Sequence, residues 1–315
     1  MHEITGNRES VLMLLKDTIH HIGMDLPKSK SAGMKSLGVK NETQWSHQRD
    51  QIIQILKEGY NQEQPKELVG IRGIIPNERA IDSWYSPRNR VVALFQSAMD
   101  EFLEDHLARL APKSKKLGLK APTQLTVTVD VFYKTPPTTK GTRGVKKLGE
   151  QFSPIDPGWA EVAWEKFKIL LNGNHKFISH KSPTDFCFPM DDEVTIAIVG
   201  DWGGGNNAAQ EVAAQIKKCS PDYVIHLGDV YYAGTEREVQ NRFLNYWPAP
   251  DAPGRSFALN SNHEMYSGGY GYFDITLKQF KQPASYFSLS NKNWRFIGLD
   301  TGYVDHDLNK EQVDW

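Results

Sequence analysis

The sequence predicts an α/β fold with a largely parallel sheet over residues 191–315, preceded by a mixed α+β region over residues 1–190. Two observations carry the first part. Near-continuous apolar runs recur at VTIAIVG (194–200), YVIHLGD (223–229) and RSFALN (255–260), with helical stretches between them. Strands buried on both faces read as such runs, and strands alternating with helices build a parallel sheet whose chemistry gathers at the strands' carboxyl ends. The third observation concerns the first 190 residues, where helical spacing gives way to a period-2 pattern without that alternation.

Residues 11–22 have the length and apolar content of a short helix, followed by a Lys-, Ser- and Gly-rich loop over 27–40. Trp45, Ile52, Ile53 and Leu56 fall at roughly helical spacing. Leu94, Phe95, Ala98, Phe102 and Leu103 do so more strongly within 91–110. QLTVTVDVFY (124–133) alternates Leu125, Val127, Val129 and Val131 against polar neighbours, the pattern of a strand. Around it lie Lys113, Lys115, Lys116, Lys120, Lys134, Lys140, Arg143, Lys146 and Lys147, against the single acid Asp130. Such a run is a solvated pair of loops flanking an edge strand, or a surface that steers a polyanionic substrate or nucleic acid. Residues 159–171 suggest a further helix, and the polar, Pro-containing run 179–192 marks the expected domain boundary. Beyond it, helices are expected over 208–218 and 235–247, and an aromatic strand pair over 285–289 and 294–300.

Composition excludes several classes. With 37 Lys plus Arg against 38 Asp plus Glu in 315 residues, the net charge of −1 argues against coating nucleic acid by charge alone. A 39% hydrophobic fraction including 8 Trp, 12 Tyr and 14 Phe supplies a sizeable core and excludes wholesale disorder. Cys187 and Cys219 are too few for a disulfide framework or a zinc finger and read as ordinary small apolar residues. No run of apolar residues is long enough to span a bilayer, so no membrane partner is expected. The run 11–15, preceded by Glu3 and Glu9, is too short and too acidic for a signal peptide, which makes the cytoplasm the expected location. No oligomeric state follows from these features.

The chemistry concentrates at three strand ends. Asp201 follows VTIAIVG, Asp229 follows YVIHL, and Asn262 and His263 follow RSFALN, with Tyr232 three residues beyond Asp229. Carboxylate and amide oxygens with few soft ligands suit iron, manganese, magnesium or zinc, and a bridging carboxylate can hold two ions together for phosphoryl transfer. His226, inside its strand, reads as a packed histidine.

Gly200-Asp201-Trp202-Gly203-Gly204, Gly228-Asp229-Val230-Tyr231-Tyr232 and Ser261-Asn262-His263-Glu264, in this order and at these strand ends, resemble the motifs of the calcineurin-like metallophosphoesterases. Trp202-Gly203 makes the purple acid phosphatase branch the most similar. The resemblance implies hydrolysis of phosphate esters by a water activated on a dinuclear centre, with iron paired with zinc, manganese or iron. It implies Asp201 as a ligand of the first metal, Asp229 as the bridging carboxylate, and Tyr232 as a phenolate ligand, with Tyr231 beside it competing for that role. It further implies Asn262 as a ligand of the second metal and His263 as the partner of the leaving-group oxygen. Asp300 and Thr301 also look like a family feature and read as structural.

Two departures stand out. Ser261 replaces the usual glycine, which strains any backbone that requires a positive φ. The family's later His ligands, an isolated His and a Gly-His-x-His, have no counterpart after Glu264, where His306 alone follows. LNKEQVDW resembles the opening of a family helix, so a C-terminally truncated first half of the domain is expected. The alternative function is that of a non-catalytic binding protein with a vestigial metal half-site.

Overall fold

The computed structural model describes residues 173–304 and 307–315, together with 3–5, 11–12, 15–16, 18–20, 42–63, 87, 89–101, 126–128, 167 and 169 of the preceding part. The chain divides into two compact units, Met1–Leu171 and Asn172–Trp315. The boundary drawn near 190 from the sequence therefore falls inside the second unit.

In the first unit, β1 (Glu3–Thr5) pairs in parallel with β2 (Thr126–Thr128), which lies within the predicted strand. Residues 11–12, 15–16 and 18–20 are helical, with Val11, Leu12, Leu15 and Ile19 buried. Helix α1 (Glu42–Glu63) buries Ile52 and Leu56, four residues and so about one turn apart. Helix α2 (90–101) buries Leu94, Phe95 and Ala98 on the predicted face, and Phe95 stacks on Phe167 at 6.4 Å. The basic stretch 113–147 and the strand residues other than 126–128 lie outside the described residues, as do Phe102, Leu103 and His306.

The second unit is built on two three-stranded sheets. In one, β4 (Ile196–Val199), β5 (Tyr223–His226) and β6 (Ser256–Ala258) run parallel in the order β4-β5-β6. In the other, β3 (Cys187–Pro189) pairs in parallel with β7 (Phe287–Ser290), which pairs antiparallel with β8 (Arg295–Gly298). The predicted aromatic strand pair is β7 and β8. Strand β3, inside a run expected to be a linker, lies at a sheet edge, where Pro189 leaves no ladder donor unmet.

Alternation along β5 and β6 explains the layers. Tyr223, Ile225 and Phe257 face the second sheet and meet Phe287 and Leu289, with Phe257 and Phe287 at 4.5 Å between ring centres. Val224 and Ala258 point the other way, against Trp202, Val239, Phe243, Trp247 and Phe280. A strand that alternates between two apolar layers has no polar face, which is why these segments read as unbroken apolar runs.

The outer layer is helical. Helix α3 (Asn207–Lys218) opens on Asn206, whose side chain accepts the Ala209 N–H, and closes with Lys217 and Lys218 in its last turn. Charge and cap both suit the helix dipole there. Helix α4 (Glu236–Glu238) starts with a capping box between Thr235 and Glu238 and continues through a π turn (Val239–Phe243) and a 3-10 turn (Leu244–Tyr246). Short helix α5 (Asn262–Met265) follows β6. A second π turn (Gly271–Thr276) leads into α6 (Leu277–Phe280), and α7 is Lys310–Asp314. Among the described residues no helix is long and apolar enough to cross a membrane. Cys187 and Cys219 are free and exposed rather than packed as small apolar residues.

Candidate functional site

Asp201 lies just beyond β4 and Asp229 just beyond β5, and both hold left-handed backbone, with φ of 52° and 74°. Asp tolerates this region better than most residues, yet two such positions in adjacent loops concentrate backbone strain at one sheet edge, as functional sites do. The loops are tied together where the Asp201 N–H donates to the Gly228 carbonyl at 3.2 Å.

The densest hydrogen bonding surrounds Asp229. Ser261 Oγ is in very short contact with Asp229 Oδ1 and lies 2.5 Å from Glu264 Oε2, its single hydrogen serving one carboxyl at a time, and it accepts the Asp229 N–H at 3.0 Å. Glu264 also accepts the N–H groups of Asp229 at 3.1 Å and Val230 at 3.0 Å. Burial holds both carboxyls above the usual range, partly offset by the Ser261 bond, and the nearby Asp201 charge raises Asp229 further. Ser261 itself is unstrained: its φ is −139°, extended backbone open to any residue, so replacing glycine here carries no penalty of the kind expected from the sequence.

Asn262 and His263 follow in α5. Asn262 Nδ2 donates to the Tyr266 hydroxyl at 2.7 Å, which turns the amide so that Oδ1 is its remaining acceptor. His263 is 6% exposed, with its ring between Tyr231 and Tyr266, each 4.8 Å away. Its Nδ1 faces the Tyr232 carbonyl at 2.6 Å. A carbonyl only accepts, so Nδ1 carries a hydrogen and the lone pair of the neutral ring sits on Nε2.

The two tyrosines divide differently from their motif spacing. The Tyr231 hydroxyl donates to Asp201 Oδ1 at 2.7 Å, and burial first, then this bond, pushes its pKa up, so it remains a donor. Tyr232, the residue at the motif position, is 4% exposed, and its ring lies 5.2 Å from the Arg242 guanidinium, which burial lowers to about 10. The intervening backbone is held by Glu238, which accepts the N–H groups of Tyr232, Ala233 and Thr235. The structure thus gathers Asp201, Asp229 and His263 with Tyr231, Ser261 and Glu264, and sets Asn262 next to Ser261. The sequence signal for the Ser261–Glu264 pair was its Ser-x-x-Glu spacing, the pattern of a helix start.

Two polar residues support the site from below. Asp300 is fully buried, bonds Asn260 Nδ2 and accepts the N–H groups of Gly302 and Tyr303, in keeping with a structural role. His226 packs against Phe243 at 4.6 Å and Trp247 at 5.9 Å. Its Nδ1 accepts the Gly228 N–H at 3.2 Å, so the hydrogen is on Nε2, which donates to the Trp202 carbonyl at 2.5 Å. Burial lowers its pKa from 6.5 to about 4.

This shift sets a pH dependence. Between pH 6.5 and about 4 the unfolded chain gains a proton at His226 that the folded chain does not, so stability from the neutral ring is complete above pH 6.5 and falls as pH drops through this window. The full loss is about 3 kcal/mol, at about 1.4 kcal/mol per pH unit. The raised carboxyls Asp229 and Glu264 act in the opposite sense, gaining stability as pH falls, so the test compares variants. Urea titrations at pH 7 and pH 4.5 are expected to show a smaller acid loss for His226→Gln than for the wild type; equal losses refute the assignment.

Residues 194–314 match the family model of the calcineurin-like phosphoesterases. The match begins just before β4 and ends with α7, and it supports that superfamily for the second unit. No curated protein and no solved structure matches the chain. The mixed α/β content, with one parallel and one mixed sheet, is consistent with such a domain. The family in general comprises metal-dependent hydrolases of phosphate esters.

The oxygens present suit a hard cation in kind. Asp201 and Asp229 are close enough for each charge to feel the other, and the hydroxyl of Tyr231 adds a third oxygen. A cation beside these carboxylates would offset the Asp201 repulsion that adds to the effect of burial on Asp229. Among the described residues no group of three or more His, Cys, Asp or Glu is arranged to hold a metal ion.

Proposed function

We propose that the second unit hydrolyses phosphate esters with metal ions held at Asp201, Asp229 and Asn262, and that the centre is dinuclear, of the purple acid phosphatase type. The observation that carries this is the meeting of Asp201 and Asp229 at adjacent parallel strand ends, beside His263, within the segment that matches the family. Bound hard cations supply charge neutralisation at the phosphoryl oxygens and acidify water.

The protein's own residues do the remaining work. Asp201 and Asp229 bind, and Asp229 is held in one orientation by Ser261. The amide of Asn262, turned by Tyr266, offers Oδ1 as a neutral oxygen ligand. His263, with Nδ1–H fixed on the Tyr232 carbonyl, presents Nε2 to the leaving-group oxygen, where the ring stabilises the departing charge when Nε2 has taken up a second proton. We assign the phenol of the site to Tyr231 rather than Tyr232, because its hydroxyl bonds Asp201 while Tyr232 packs with Arg242. Iron paired with zinc, manganese or iron remains the proposed metal content. A cytoplasmic location and steering of polyanionic substrates by the stretch 113–147 are lesser proposals that rest on the sequence alone.

The 315-residue chain supplied with iron, zinc or manganese is expected to hydrolyse aryl phosphate monoesters or diesters and to lose that activity to a chelator. Weakly held, substoichiometric metal with no turnover across the pH range refutes the proposal and favours a non-catalytic binding protein with a vestigial half-site.

A further inference from the structure

We infer that Ser261 is a positioning residue for metal binding: its hydroxyl locks Asp229 against Glu264 and so sets where the Asp229 carboxylate points. The inference rests on the phosphoesterase reading above and deepens it.

A serine that only caps a helix accepts one backbone N–H. Ser261 does this for His263 at 3.3 Å, but the same oxygen also contacts a carboxylate oxygen from the loop after β5 and one from α5, and accepts the Asp229 N–H. Asp229 is thereby held at both its backbone and its side chain by one hydroxyl. Glu264, 1% exposed, is immobilised in turn by the N–H groups of Asp229 and Val230. The clamp therefore runs from the end of β5 to the start of α5 through buried groups.

Neighbouring backbone approaches Ser261 closely. A Cβ at Gly228, where φ is 100°, meets the Ser261 Cβ at 2.7 Å, and a Cβ at Gly302 meets the Ser261 Cα at 2.5 Å. Two glycines from separate loops thus pack closely against Ser261, where a side chain on either would displace it. Partners that orient a ligand in this way change metal affinity by about 10- to 100-fold when removed.

The test is calorimetric titration of Mn2+ alone into the chelator-treated 315-residue chain, for the wild type, Ser261→Ala and Ser261→Gly. Glycine removes the hydroxyl without adding bulk, so it serves if the alanine variant folds poorly. Both variants are expected to bind Mn2+ at least about tenfold more weakly at 20 °C, well below their thermal midpoints. Affinities within about twofold of wild type, whatever happens to the midpoints, show a helix cap and nothing more, and overturn the inference while leaving the metal reading intact. A wild type that takes up no Mn2+ removes the metal reading and this inference with it.

Discussion

Asp229→Asn is expected to lower hydrolysis of aryl phosphates by at least about a thousandfold, equivalent to about 4 kcal/mol of transition-state stabilisation. Asparagine keeps the shape and one oxygen for the Ser261 hydroxyl, so the loops are not disturbed. What disappears is the negative charge that the proposed metal centre would draw on. The same substitution is not expected to lower the thermal midpoint of metal-free protein, because Asp229 is a partly buried carboxyl beside Asp201 and its charge is unfavourable there. Loss of activity with stability kept or raised is the signature of a residue placed for function at the expense of folding. Steady-state kinetics with saturating metal, set beside a thermal melt, decide the matter. More than a tenth of wild-type activity, or a midpoint that falls by several degrees, contradicts the role assigned to Asp229.

Glu264→Gln is expected to have the opposite profile, with stability as its main effect. Glu264 accepts two backbone N–H groups and the Ser261 hydroxyl in a buried setting. An amide offers one acceptor oxygen, so its NH2 is turned toward a donor whichever way it flips. In one flip the Val230 N–H loses its acceptor; in the other the Asp229 N–H keeps only Ser261 Oγ, and in both the charge-assisted bonds to the buried carboxylate are lost, which costs about 3 kcal/mol. For a unit of this size the thermal midpoint falls by roughly 10 °C. A shift of less than about 2 °C shows that water or a rearranged loop replaces the carboxylate, and the clamp is then not rigid.

The two substitutions separate ligand from support, a distinction only partly visible along the chain. The placement of Asp201, Asp229 and Asn262 just beyond strand ends is legible because each follows an apolar run, and such runs signal strands of a parallel sheet. His226 was legible as a packed residue for the same reason, lying inside its run. Strand β3 was not, since Cys187, Phe188 and Pro189 carry no alternation of their own and become a strand only by pairing with β7, about a hundred residues later. Tyr231 and Tyr232 illustrate a finer limit. Spacing from Asp229 favours Tyr232, but the structure directs the neighbouring hydroxyl to Asp201, because Glu238 fixes the backbone between them and Arg242 takes the ring of Tyr232.

Serine in place of glycine at 261 shows the same division. From the residue type alone a strained turn was expected, because backbone angles are not written in a motif. Close approach by Gly228 and Gly302 instead holds an extended Ser261 whose oxygen joins two acids. The sequence by itself determined which strands carry the acids and in what order, since burial periodicity is local and survives in one dimension. Which hydroxyl meets which carboxylate was decided only by the tertiary structure, because hydrogen bonds across loops thirty residues apart depend on distances of a few tenths of an ångström that no spacing records.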